Sequence, residues 1–275
     1  MRPVYSQRVT TFFSVNGTRY GADLRGSGPA VVALHAGITD RRMYNALVAD
    51  LSRDHRVLVY DQPGFGDSEV PAGAIMPSQE LMSLMDKARM TSAVLVGTSF
   101  GCRVAFDVAL EAPGRVRAIV AAGAGLSGRT APARLQEALR AVDQAFESGD
   151  LDHANELEMR IWVDGVGRQA PVDPRVRAEV ARMNRVVLEA ARAGREAEEL
   201  SPERPAVDRL AEIRCPVLVV MGENDQPHCV ETALMIEAQV PNARLVRMPE
   251  TAHLPSLERP AEFNQLVREF LAGLP

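Results

Sequence analysis

The chain has 275 residues, 46% of them hydrophobic and 24% charged, enough for one large α/β domain, or one with an insertion, around a substantial core. Its net charge of −5, with both signs interspersed, offers no basic face to a phosphate backbone and argues against nucleic acid as a partner. Three cysteines fit neither a zinc spacing nor a disulfide framework, no apolar run spans a bilayer, and the opening MRPVYSQRVTTFF lacks an export signal, so a cytoplasmic protein without membrane attachment is expected.

The first element is TTFFSVNGTRYGADL, which alternates around Asn16-Gly17, a pair suited to the positive φ angles of a tight hairpin; it predicts an antiparallel N-terminal edge. Six aliphatic runs follow: AVVALHA (30–36), RVLVYDQ (56–62), AVLVGTS (93–99), RAIVAAGA (117–124), PVLVVMGE (216–223) and ARLVRMPE (243–250). Bounded by turn residues and mostly followed by helical patterns, they predict parallel strands with crossover helices, in a sheet buried on both faces. Met82, Met85 and Met90 read as packing residues of a helix ahead of the third of these runs.

Between residues 128 and 208 the strand pattern stops. Leu135, Leu139, Val142 and Phe146, then Leu151, Ala154, Leu157 and Ile161, then Val176, Val180, Met183 and Val187 recur at helical spacing. The expectation is a helical cap inserted in a core of residues 1–127 and 209–275. The stretch 194–208, charged and marked by proline, reads as its return linker, and most charges of the insertion as a solvated helix face.

The stretch LVGTSFGCRV, Leu95 to Val104, places Gly-x-Ser-x-Gly where a strand turns into a helix. The pentapeptide alone is a modest signal. At so sharp a turn, however, Gly97 and Gly101 approach neighbouring backbone and Ser99 is held at the tip with its hydroxyl exposed. A hydroxyl is a weak nucleophile unless a base takes its proton, so a histidine and an orienting acid are required.

Reacting groups in such sheets gather at the carboxyl ends of strands, which sets aside His55 and His153. His35 ends a strand but precedes the serine by 64 positions. Between the other two, His253 lies in a loop past the last strand whereas His228 opens a helix, making His253 the better base. Asp225, in a turn directly after a strand, is the better acid, with Glu223 and Glu250 as neighbours to test. Cys102, one residue into the helix after the elbow, reads as packing. Trp162, the only tryptophan, reads either as cap core or as a substrate-pocket wall.

Together LHAG, YDQPGFGDS, GTSFG, GEND and AHLPSLERPAEF, in this order, resemble the α/β-hydrolase family over nearly the whole chain outside the insertion. Size and cap placement are most similar to small-molecule esterases and lactonases of the 3-oxoadipate enol-lactonase type. The resemblance implies Ser99 as nucleophile, Asp225 as orienting acid, His253 as general base and then acid, and an oxyanion hole from the backbone amides of Gly37 and Phe100. It makes His35 a support of the oxyanion loop. DQPGFGDS reads as a structural loop, since Gly64 and Gly66 permit a tight turn and Asp61 or Ser68 can hydrogen-bond its backbone. The alternative acid position of the family, around residues 123–126, holds no acid here. Ala36 and Thr98 depart from the residues many relatives carry.

The expected function is hydrolysis of a small-molecule carboxylic ester or lactone with neither metal nor organic cofactor. Carbon–carbon bond hydrolysis of diketone-like substrates, or a ligand-binding scaffold with an idle triad, are the alternatives. Self-association is left open.

Overall fold

A computed structural model describes residues 10–274; the first nine residues, where an export signal would begin, and Pro275 lie outside it. The alternating N-terminal segment folds as β1 (Thr11–Val15) and β2 (Thr18–Arg25), joined at Asn16 and Gly17, whose φ angles of 49° and 85° suit a two-residue hairpin. The six aliphatic runs form β3 (Ala30–Leu34), β4 (Arg56–Tyr60), β5 (Ala93–Thr98), β6 (Val116–Ala122), β7 (Val217–Gly222) and β8 (Ala243–Met248). Spatial order in the single sheet is β1-β2-β4-β3-β5-β6-β7-β8, with β3 to β8 parallel and β2 antiparallel to β4.

Alternation along the central strands divides the core into two layers. Val32, Leu34, Leu95, Val217 and Val219 face one side; Val31, Ala33, Val94, Val96, Leu218 and Val220 face the other. The first layer is covered by α2 (Pro77–Lys87), α3 (Phe100–Glu111) and α7 (Pro227–Gln239), through Leu81, Leu84, Val104, Phe106 and Ile236. The second is covered by α1 (Asn45–Leu51) and the C-terminal α9 (Pro260–Ala272), through Leu47, Leu51, Phe263 and Val267. The short α8 (Pro255–Glu258) precedes α9.

Two expectations need correction. β8 is not buried on both faces: as the last strand it pairs on one side only, and most of its residues are half-buried or exposed. Met90 packs in the core with Met85 but lies past the end of α2, beyond Arg89 at φ 54°. Between β6 and β7 stand α4 (Ala133–Glu147), α5 (Leu151–Trp162) and α6 (Pro174–Arg192). They pack on one another through Leu135, Val142, Ala154, Ile161 and Leu188, and reach the second core layer through Met159, Val163, Val180 and Met183. Among the described residues no helix is long and apolar enough to cross a membrane.

The strand order places the site. Chain direction around the sheet reverses at β3, which hands on to β4 on one side and borders β5 on the other, so the loops after β3 and β5 diverge and leave a crevice at their carboxyl ends. The loops after β7 and β8 leave the same edge of the sheet side by side.

Candidate active site

Ser99 stands between β5 and α3 at φ 55° and ψ −107°, a left-handed conformation that a non-glycine residue holds only where its surroundings impose it. The imposing contacts are short. A Cβ at Gly97 would lie 2.5 Å from the Gly101 carbonyl oxygen, and one at Gly101 would collide with the Leu34 carbonyl. The Gly101 amide donates to His35 O at 3.2 Å, and the Ser99 amide to Ala122 O at 3.1 Å. Thr98 is buried and its hydroxyl pairs with that of Tyr44 at 2.7 Å. Cys102 is fully buried against Gly97 O and Ala122 O, and burial pushes its thiol up to about 12, as suits a packing residue.

Gly37 follows β3 and Phe100 opens α3, and both line the cavity above Ser99. Neither amide is spent on a protein acceptor among the described residues. His35 braces this loop from behind: its Nε2 accepts from the Gln62 amide at 2.9 Å, Gln62 Nε2 donates to His35 O, and Nδ1–H faces Ala36 O at 2.8 Å. Burial lowers its pKa to about 4, so the ring is neutral. Asp61 ties the loop after β4 to the loop after β3, accepting from the Arg41 amide at 2.8 Å and the Asp67 amide at 2.8 Å and pairing with the Arg41 guanidinium.

Asp225 stands three residues after β7, and its carboxylate accepts from the Gln226 amide at 2.7 Å. His253 Nδ1 lies 3.0 Å from both Asp225 oxygens, with both side chains buried. The loops meet because Gly222 sits against the carbonyl of Ala252 and the Asn224 amide donates to Thr251 O at 2.9 Å. Burial opposes charge on the ring, but the adjacent Asp225 carboxylate overrides it and raises the His253 pKa well above its ordinary value. Asp225, Cys229 and His253 place one potential ligand atom each within 4.8 Å. The carboxylate is already committed to the ring and to the Gln226 amide, and burial keeps Cys229 a neutral thiol, so the donor set suits a base and its orienting acid better than a metal.

Ser99 and His253 flank one short stretch. A Cβ at Gly123 would lie 3.0 Å from His253 Nδ1, and one at Gly125 would lie 2.5 Å from Ser99 O. Both residues line one cavity of about 670 Å³. Of the alternatives, Glu223 and Glu250 are exposed, and His55 pairs with Asp54 on the surface.

Trp162, at the end of α5, stacks on the His253 ring with centroids 4.7 Å apart and lines the cavity. The segment it begins, 161–168, clamps both loops. Gln226 Nε2 donates to Ile161 O at 2.5 Å, and Val166 and Asn224 exchange hydrogen bonds of 2.7 and 2.9 Å. Arg168 pairs with the buried Glu258, whose other oxygen accepts from the amides of Ala252 and Leu254, the two neighbours of His253.

Sequence reading missed several wall residues. Arg195, Glu196 and Glu199 of the return segment line the cavity, because the Ile75 amide donates to Glu198 O and the Leu200 amide to Ile75 O, pinning the segment down. Arg103 and Glu158 line it too, and the available signal was helical spacing: Arg103 is four residues after Ser99, Glu158 four before Trp162. Phe65, in the loop read as structural, also faces the cavity.

Residues 31–266 match the alpha/beta hydrolase family. The 2-hydroxy-6-oxo-6-phenylhexa-2,4-dienoate hydrolase of Burkholderia cepacia is 25% identical over 90% of this chain and 89% of that protein. The pimeloyl-(acyl-carrier protein) methyl ester esterase of Nitrosomonas europaea is 27% identical over 86% of this chain and 94% of that protein. Among solved structures, the enol-lactonase from Burkholderia xenovorans LB400 superposes with a TM-score of 0.75 at 21% identity, covering 95% of this chain and 100% of that one, a likeness of fold.

Proposed function

This chain belongs to the alpha/beta hydrolase family, and on that premise we propose that it is a serine hydrolase cleaving a carboxylic ester or lactone of a small molecule through an acyl-enzyme. The observation that carries the reading is the His253 Nδ1 contact with both Asp225 oxygens at 3.0 Å, beside a cavity that Ser99 shares from a left-handed elbow.

In this reading Ser99 Oγ attacks the carbonyl carbon while His253 Nε2 takes its proton. Asp225 holds Nδ1–H, which sets the tautomer and stabilises the imidazolium as it forms. Negative charge on the carbonyl oxygen falls toward the amides of Gly37 and Phe100, and the N-terminus of α3 adds its dipole; each such donor is worth on the order of 10²- to 10³-fold in rate. His253 then protonates the leaving oxygen. Water activated by the same ring attacks the acyl carbon and releases the acid and Ser99. No step calls for a metal or organic cofactor, and the inserted helices roof the cavity as a substrate-selecting cap.

A fluorophosphonate probe tests the assembly: it labels Ser99 in the native protein, and His253→Ala abolishes labelling. A folded native protein that resists the probe overturns the reading. Carbon–carbon bond hydrolysis is the second reading, favoured by the 25% identity to the Burkholderia cepacia dienoate hydrolase. Turnover of matched esters, lactones and diketones separates the two.

A further inference from the structure

Glu158 lies one helical turn before Trp162 on α5, so the two side chains share the helix face that lines the cavity. Trp162 reaches the His253 ring; Glu158 stands about 6 Å further along the helix axis. Leu139, Val187 and Ala191 supply apolar wall to the same cavity, and the charged Arg103, Arg195, Glu196 and Glu199 line it as well.

The carboxylate is held by one side only. Asn184, which is 1% exposed, donates to Glu158 Oε2 and, at 2.9 Å, to Asn155 Oδ1, while Asn155 donates to Ala181 O at 3.0 Å. Glu158 Oε1 has no hydrogen bond among the described residues, and no arginine or lysine pairs with this side chain there. Of the two arginines that line the cavity, Arg103 is engaged by Glu199 and lies 4.5 Å over the Phe100 ring, and Arg195 has no ion pair with Glu158 among the described residues. Burial raises the Glu158 carboxyl, opposed by the Asn184 hydrogen bond and assisted by Asp143. A half-buried acid without a counterion is costly at this position, where leucine or methionine would pack at no such cost.

We propose that Glu158 is a specificity-determining residue: it receives a hydrogen-bond donor, an ammonium or hydroxyl group, on the part of the substrate remote from the scissile carbonyl, and it excludes a carboxylate there. The inference rests on the serine-hydrolase reading. It narrows the substrate to an ester or lactone whose distal end carries such a donor, held by the free Oε1 while Asn184 fixes the other oxygen. An ionised acid and an ammonium form the stronger, charge-assisted bond, so the ammonium ranks above the hydroxyl.

The test uses p-nitrophenyl esters of one graded series of acyl chains, each ending in ammonium, hydroxyl, methyl or carboxylate. Wild type is expected to prefer the ammonium end over methyl at the best length by about 10- to 100-fold in kcat/KM, with hydroxyl between them and carboxylate last. Glu158→Gln, isosteric and uncharged, is expected to erase the ammonium preference and keep that for hydroxyl; Glu158→Leu is expected to erase both. Ratios within one variant are the readout, so a general loss of activity does not imitate the result. Equal lowering of all four ends in both variants, or a wild type indifferent to the chain end, overturns the inference. A wild type that cleaves none of the series and resists the fluorophosphonate probe overturns the serine-hydrolase reading instead.

Discussion

The two halves of the candidate site are built differently. The proposed nucleophile half, Ser99 with the Gly37 and Phe100 amides, is held by the core: Gly101 to His35 O, Ser99 to Ala122 O, Thr98 to Tyr44, His35 to Gln62, all contacts among residues that precede the insertion. The proposed acid–base half leans on the insertion, through Trp162 on the His253 ring, Ile161 and Val166 on the Asp225 turn, and Arg168 on Glu258. A shift of the 161–168 segment is therefore expected to reach His253 and Asp225 before the elbow, which meets the insertion further out, through Arg103 and Glu199. In the proposed mechanism, bond making and base alignment are thereby expected to be separable by substitution.

The sharpest break comes from Ser99→Ala. It is expected to lower kcat on a true substrate by on the order of 10⁴-fold or more with the fold intact, checked by steady-state kinetics and circular dichroism. Turnover that survives the change sinks the mechanism.

Asp225→Asn follows, with a loss of about 10³- to 10⁴-fold, since the wrong tautomer of His253 then faces Ser99. Only the neutral ring accepts the serine proton. Asp225 raises the His253 pKa, so wild-type kcat/KM rises with pH through a single step above 6.5 and falls on acidification. Removing the carboxylate removes the upward cause, so the step in the residual activity of the variant moves to lower pH. A step that stays put means that Asp225 does not set this ring's proton affinity.

Arg168→Met sharpens the comparison. It leaves Glu258 buried without its partner, at a cost of about 3 kcal/mol in stability by urea denaturation, and loosens the two amides flanking His253. Turnover is expected to fall about tenfold, corresponding to ~1.4 kcal/mol, while a small ester's KM changes little. Equal damage to kcat and KM would mean that Arg168 shapes the cavity and does not position the base.

Trp162→Leu is the mildest. It removes the ring on His253 and part of the wall, and the expected change is severalfold in kcat/KM, larger for bulky acyl groups than for acetate. A uniform effect across acyl groups would assign the indole to packing alone.

Legibility followed the range of the signal. Hairpin, strands and inserted helices were readable because burial on one or two faces writes a period into consecutive residues: Val31, Val32, Ala33 and Leu34 alternate between two core layers. Ser99 was readable because the glycines that permit its turn are two positions away. Asp225 and His253 were chosen by their place at strand ends, and the structure sets them 3.0 Å apart. Arg195, Glu196 and Glu199 were missed because an exposed charged stretch looks the same in sequence whether it trails in solvent or is bonded to Ile75.

The sequence by itself determined which segments are strands, where the chain turns sharply enough to expose a serine, and that an acid and a histidine follow at later strand ends. The order β4-β3-β5, which sets Gly37 beside Ser99, and the clamp from 161–168 onto the Asp225 and His253 loops were decided only in three dimensions. The reason is physical: period and turn chemistry are local, acting over a few residues, whereas strand neighbours and the partners of Glu158, Arg168 and Trp162 are selected by packing across tens of residues of chain.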